Sequence, residues 1–338
     1  MIARHLATEL GAELVTVDWR GSAFEGGYAS LDDAAYENLV ARCAEALPPA
    51  DLYHLHHLTP LNEAARRIAP DTPVIAHLHG TELLMLESTD SEAWIERMRR
   101  WAEQAAAVIV PTRTAAERAE ALLGVETTLI PNGYDSEHFH PQPVPHQDTV
   151  IAYVGRFTEV KRVPLLIEAY ALAQPGLNTR APLLLIGGFP GECEGEHPRD
   201  TIARTGAQDV HLTGWYPHEE LPAALNAADV IVLPSVREHF GLSLVEGMAC
   251  GLPGIAVDAA GPSEIVRHGE TGWLVEPDDV HGLANALVEA VNRPAERRRR
   301  GVNAAVDVAE RFAWRVVASG VKDLYDATIL RASTPQTA

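Results

Sequence analysis

The stretch from Val232 to Asp258, VLPSVREHFGLSLVEGMACGLPGIAVD, leaves this chain few ways to fold. Asp229 to Leu233 is apolar and reads as a strand, and Pro234 to Phe240 as a loop. Gly241 to Cys250 reads as a short helix, Gly251 and Pro253 break it, and Gly254 to Asp258 is the next strand. Strands alternating with helices argue for a parallel sheet covered on both faces. The same alternation runs through the rest of the chain. Before it, helices are expected at residues 1–10, Leu31–Leu47, Pro60–Ile68, Ser91–Gln104 and Thr112–Leu123. Between them stand strands at Glu13–Asp18, Asp51–His56, Pro73–Leu78, Ala106–Val110 and Thr127–Ile130, with a Gly-containing loop over Arg20–Ser30.

Pro141 to His146, PQPVPH, interrupts the pattern and reads as a linker. A second alternating run follows, from the strand at Thr149–Val154 to a helix at Trp314–Leu330. The expected architecture is α/β, with two Rossmann-like doubly wound domains over residues 1–145 and 146–312 and a terminal helix over 313–330. Two such domains imply a cleft facing the carboxyl ends of both sheets. At 338 residues and 46% apolar, the chain is long enough to build both.

Two carboxylates frame the opening stretch. Glu238 lies in the loop, and Glu246 lies in the helix, eight positions on. The first N–H groups of that helix, at Gly241, Leu242 and Ser243, lack intrahelical partners and offer an anion site. Carboxylates beside an anion site suit a ligand bearing both phosphates and hydroxyls, with Glu246 on a ribose diol and Glu238 on a second sugar. That ligand is a nucleoside diphosphate sugar. The run after Glu246, Gly-Met-Ala-Cys-Gly-Leu-Pro, is small and apolar and reads as packing under the ligand rather than a solvated face.

The cations agree. The chain has only two lysines, Lys161 and Lys322, among 27 basic residues. Arg156 and Lys161 both follow the first strand of the second domain, where a planar fork and a point charge suit a diphosphate. They would offset the charge of a departing nucleotide without a metal ion. Gly188 ends the next strand, where a nucleotide can approach the backbone.

EHFGLSLVE followed by GMACGLP resembles the E-x7-E signature of the family-four retaining glycosyltransferases, which have the GT-B fold. Gly155-Arg156 with Lys161 resembles that family's phosphate-binding pair. The resemblance runs nearly continuously from Ala76 to Asp278 and is strongest from Thr149 onward. It implies transfer of a sugar from a nucleotide sugar to an acceptor hydroxyl with retention at the anomeric carbon, and no metal or other cofactor. The leaving phosphate would take the acceptor proton. By the same resemblance His79 touches the donor sugar, Asn132 in the N-G-x-D run lines the cleft, and Trp215 stands near the nucleobase. The last helix would cross back to the first domain. The family opens with a strand and a Gly-rich loop, whereas this chain starts at what reads as the following helix, so the first domain is expected to lack both.

A net charge of −20 disfavours nucleic acid and anionic membranes as partners. No run of eighteen apolar residues exists, and the N-terminus does not read as a signal peptide. Cys43, Cys193 and Cys250 have no paired spacing, which points to the cytoplasm. The basic run Arg297–Arg300 reads as a solvated helix face. The expected partners are a nucleotide sugar and a small-molecule or glycan acceptor. A nucleotide-sugar epimerase, or a nucleotide-sugar-binding protein inactive through loss of the first strand, are the alternatives.

Overall fold

The structure is a computed structural model that describes residues 2–14, 31–142, 144–145, 147–188 and 193–333. Most of the strand expected at Glu13–Asp18, the loop at Arg20–Ser30, and Pro143 and His146 of the proline-rich stretch lie outside the described residues. The chain divides into two compact units, Met1–Asn132 with Trp314–Ala338, and Gly133–Ala313.

In chain order the first unit holds α1 (Ile2–Leu10), α2 (Asp33–Ala46), β1 (Tyr53–His56), α3 (Pro60–Ile68) and β2 (Val74–His77). Then come α4 (Thr81–Ser88), α5 (Glu92–Gln104), β3 (Ala107–Val110), α6 (Arg113–Leu123) and β4 (Thr128–Leu129). Asp32, Ser91 and Thr112 start their helices by accepting from the N–H of Ala35, Trp94 and Ala115. Helix α4 is not legible in the sequence, because its TELLML run has no helical period. Its start is set instead by Gly80 at φ 98°.

The described strands of this unit pair in parallel in the order β1-β2-β3-β4. Successive side chains face opposite sides of the sheet. Ala76, Val108 and Val110 pack with Leu39, Val40, Trp94 and Trp101, while Ile75 and Ile109 pack with Leu6 of α1 and with Trp314 and Val321.

The second unit is built from β5 (Ile151–Gly155), α7 (Val163–Ala173), β6 (Leu183–Gly187), α8 (Pro198–Thr205), β7 (Val210–Gly214), α9 (Leu221–Asn226) and β8 (Val230–Leu233). It continues with α10 (Leu242–Ala249), β9 (Gly254–Val257), α11 (Ala260–Ile265), β10 (Gly272–Val275), α12 (Val280–Asn292) and α13 (Pro294–Phe312). All six strands are parallel, in the order β10-β9-β8-β5-β6-β7. The chain therefore reverses its direction of travel across the sheet at β5, which lies between β6 and β8. Ligands of open α/β sheets bind outside the carboxyl ends of the strands at such a switch.

The second unit begins at Gly133 and not at residue 146, because Tyr134 and Phe139 are buried in its core. The last helix, α14 (Trp314–Ser333), belongs to the first unit, where its apolar residues meet α1 and the sheet.

One expectation about the surface is corrected. Arg297 and Arg300 of α13 are buried rather than solvated. Arg297 donates to the carbonyls of Ala290 and Val291, which end α12, and Arg300 lies 4.1 Å over the Trp273 ring and donates to Gly272 O. Buried carbonyls, an aromatic face and the carboxylates of Asp229 and Glu296 offset the desolvation of the two guanidinium groups. Among the described residues, no helix is long and apolar enough to cross a membrane. The three cysteines are free.

Candidate functional site

The carboxyl ends of β5 and β8, neighbours at the switch, carry Arg156, Lys161 and Glu238. Beyond β5 the chain turns through Gly155, Arg156, Phe157 and Thr158 into a single 3-10 turn, Glu159–Lys161. Beyond β8 it runs through Pro234 to Phe240 before α10 starts. Two hydrogen bonds to one carbonyl join these loops. Val160 O accepts from Ser235 Oγ at 2.9 Å and from Val236 N at 3.2 Å. The tie brings Lys161 Nζ onto Glu238 Oε2 in an ion pair whose side chains are only 18% and 16% exposed. Arg156 is exposed, and its carbonyl accepts from the buried Tyr153 hydroxyl at 2.7 Å. Burial pushes that phenol upward, the Glu238 charge adds to the push, and the Arg156 charge opposes it. Arg156 and Glu238 thus both act on one buried tyrosine, and Lys161 joins them through Glu238.

Close backbone approach shapes the same end of the sheet. A methyl group on Gly187 would stand 2.1 Å from Gly155 O, and one on Gly188 would stand 2.2 Å from the Phe157 ring. Both glycines have positive φ, 126° and 68°. Gly188 therefore packs its loop against the β5 loop.

Helix α10 starts at Gly241, with φ 110° and no side-chain cap. Gly241 O takes the N–H groups of Leu244 and Val245, and the N–H groups of Leu242 and Ser243 precede them at the positively polarised end. Gly241 lies against the Glu238 side chain, since a methyl group there would be 3.6 Å from its Cγ. Glu246 comes five residues later, about 7.5 Å along the axis. It is buried, and its Oε1 lies 2.9 Å from His218 Nε2. Burial raises the Glu246 carboxyl, with His218 opposing, and the Glu246 bond raises His218 despite its own burial. His218 escaped the sequence reading, because nothing in Tyr-Pro-His-Glu-Glu marks one His among 15.

The small residues after Glu246 are packed and not solvated. A methyl group on Gly247 would stand 2.8 Å from Ile231, and Met248, Ala249 and Cys250 are buried in the core. A methyl group on Gly301 would stand 2.2 Å from Gly251 O. The run lets α10 sit directly on β8 and lets α13 close over its end. Trp215, after β7, is 59% exposed and so is not core packing.

His79 and Asn132 belong to the first unit. Asn132, just past β4, is buried with its Oδ1 unpartnered. His79 ends a row of imidazoles that the sequence shows but the reading missed. The tripeptide His-Leu-His occurs twice, at 54–56 and 77–79, and register pairs His56 with His77 on neighbouring strands. His54 Nδ1 lies 2.6 Å from Tyr325 Oη, and His54 Nε2 lies 3.1 Å from His77 Nδ1. His56 Nδ1 lies 2.8 Å from His79 Nε2. Burial pushes His54 and His56 down to about 3 and His79 to about 4, and drives His77 well below its ordinary value. All four rings are neutral near pH 7. The Glu82 carboxylate closes the far end, pairing with His57 and accepting the N–H groups of His79 and Gly80.

The family model described as Glycosyl transferases group 1 matches residues 135–307, and that of Glycosyltransferase Family 4 matches residues 4–138. The chain is 30% identical over 334 residues to a D-inositol 3-phosphate glycosyltransferase of Stackebrandtia nassauensis, across 89% of this chain and 74% of that one. It is 25% identical over 297 residues to the N-acetyl-alpha-D-glucosaminyl L-malate synthase of Bacillus anthracis, across 81% of this chain and 74% of that one. Among solved structures, the sucrose-phosphate synthase of Thermosynechococcus elongatus superposes with a TM-score of 0.73 at 26% identity, across 90% of this chain and 81% of that one.

Proposed function

The chain belongs to the glycosyl transferases group 1 family, and on that premise we propose a metal-independent, retaining transfer of a hexosyl group from a nucleoside diphosphate sugar to a hydroxyl of a small acceptor. The enzyme is a glycosyltransferase of GT-B fold, which sets the epimerase alternative aside. The Lys161–Glu238 pair at the sheet switch carries the reading of the donor site. An ammonium held by one carboxylate still has two free N–H donors, so a pyrophosphate can join it without first stripping the pair apart.

In this reading Arg156 and Lys161 take the diphosphate, and the N–H groups of Leu242 and Ser243 add the helix end to the same charge. As the bond from the anomeric carbon to the phosphate oxygen breaks, negative charge grows on the leaving group. Fixed donors that meet it there are worth more than they would be in water. Glu246, held by His218, takes the ribose hydroxyls, and Glu238 takes hydroxyls of the donor sugar. Trp215, exposed after β7, offers an apolar face to the base, and Gly188 lets the nucleotide approach the backbone. His79 and Asn132 are assigned to the donor sugar and its surroundings by resemblance alone. Glu238 and Glu246 both have partners, so neither is assigned as the base. The departing phosphate takes the acceptor proton on the face that it leaves, and the anomeric configuration is kept.

The relatives' names point to small hydroxylated acceptors, an inositol phosphate and malate. Both are anions at neutral pH. The experiment is incubation of the full chain with nucleotide sugars and a panel of polyol and hydroxy-acid acceptors, followed by proton NMR of the product. The expected outcome is a glycoside with the donor's anomeric configuration and a stoichiometric nucleoside diphosphate. An inverted glycoside would overturn the mechanism, and an absolute requirement for added divalent metal would overturn the assignment of charge to Arg156 and Lys161.

A further inference from the structure

The imidazole row of the first unit has more nitrogen than the protein uses. His54, His56 and His77 each present a ring nitrogen, and these three atoms lie within 4.8 Å of one another. His54 Nε2 and His77 Nδ1 are already 3.1 Å apart. Three nitrogens held 2.0–2.1 Å from a tetrahedral zinc ion stand about 3.3 Å apart, so the widest pair must close by up to about 1.5 Å and the nearly parallel rings must turn toward the ion. Two of the rings are oriented from outside. Tyr325 Oη engages His54 Nδ1 at 2.6 Å, and His79 Nε2 engages His56 Nδ1 at 2.8 Å. Outer partners of this kind fix which nitrogen of a ligating histidine faces the ion. His77 Nε2 and His79 Nδ1 are buried with no partner, so the protein's own hydrogen bonds do not close the cluster. An entry path exists, because His54, His56 and Tyr325 line a cavity with Leu6, Leu14 and Leu52.

We propose that His54, His56 and His77 bind a divalent transition-metal ion with the ligand preference of zinc, water completing the tetrahedron. On binding, His54 holds its one proton on Nδ1, where Tyr325 Oη accepts it, and His77 holds its own on Nε2, so His54 Nε2 and His77 Nδ1 are both free to ligate and no proton is lost. The ion ties β1 to β2 and, through Tyr325, to α14. It takes no part in the sugar transfer proposed above, and the inference does not rest on that reading.

The test is calorimetric titration of the chelator-stripped full chain with zinc chloride, with thermal melting alongside. The expected result is one saturable equivalent per chain and a rise in the melting midpoint. His54→Gln and His77→Asn should remove that equivalent, while His281→Ala, an exposed control, should keep it. Tyr325→Phe keeps all three ligands but loses the outer partner, and should weaken zinc about tenfold or more. That variant decides the matter if the buried His77 substitution fails to fold. Zinc binding that His54→Gln and Tyr325→Phe both leave unchanged would overturn the proposal, as would no saturable equivalent at sub-millimolar zinc.

Discussion

Lys161→Ala tests the donor site most directly, and its size can be worked from the structure. A hydrogen bond to a charged group contributes about 1.5–3 kcal/mol. Losing about 2 kcal/mol raises the dissociation constant of a nucleoside diphosphate roughly 30-fold. With nucleotide at about 100 times the parent's dissociation constant, the parent gains about 2.7 kcal/mol and the variant about 0.9. For a unit of this size each kcal/mol moves the melting midpoint by about 2–4 °C. The ligand-induced shift should therefore fall from about 5–11 °C to about 2–4 °C. The ligand-free variant should also melt lower, because Glu238 is only 16% exposed and loses its partner, at a cost of about 1–3 kcal/mol. The stranded carboxylate also repels an incoming diphosphate, so the 30-fold figure is a minimum. The assay is the shift with and without nucleotide, measured for each variant against its own baseline. Lys322→Ala is the control, since that ammonium is 62% exposed and pairs with Asp326 one turn on. An undiminished shift in Lys161→Ala would refute the phosphate assignment.

His218 should give the stability of the second unit a pH dependence. Its folded pKa is raised by Glu246, so its contribution is complete below the unfolded value of about 6.5 and is lost as pH rises through the folded one. His218→Gln should flatten the parent's fall in urea midpoint as pH rises above about 6.5, and an unchanged slope would place its origin elsewhere. Gly247→Ala forces a methyl group to 2.8 Å from Ile231 and should cost about 1–3 kcal/mol by denaturant titration. A neutral result there would mean that α10 is free to lift from β8.

Helices and strands are local periodicities, and here the sequence was enough. The alternation of apolar strands with helices announced two parallel sheets, and α3 spans Pro60–Ile68 as expected. Arg156, Lys161, Glu238 and Glu246 stood out because a helix end, two acids and rare lysines lie in short motifs. What failed locally was α4, whose apolar run lacks a period, whereas Gly247 and its neighbours are packed and not solvated, as their small apolar character suggested.

Tertiary structure decided everything that depends on which distant strands meet. Lys161 and Glu238 are 77 residues apart and pair only because β5 and β8 are neighbours. Glu246 finds His218 across 28 residues, and Arg300 finds Trp273 only when α13 lies over β10. The two His-Leu-His runs are visible as text, yet their meeting depends on the register of β1 on β2 and on a tyrosine 271 positions away. Pattern along a chain fixes which face of each element is apolar. The order in which those faces are buried is settled by long-range packing, and that order sets which charged groups share one end of a sheet.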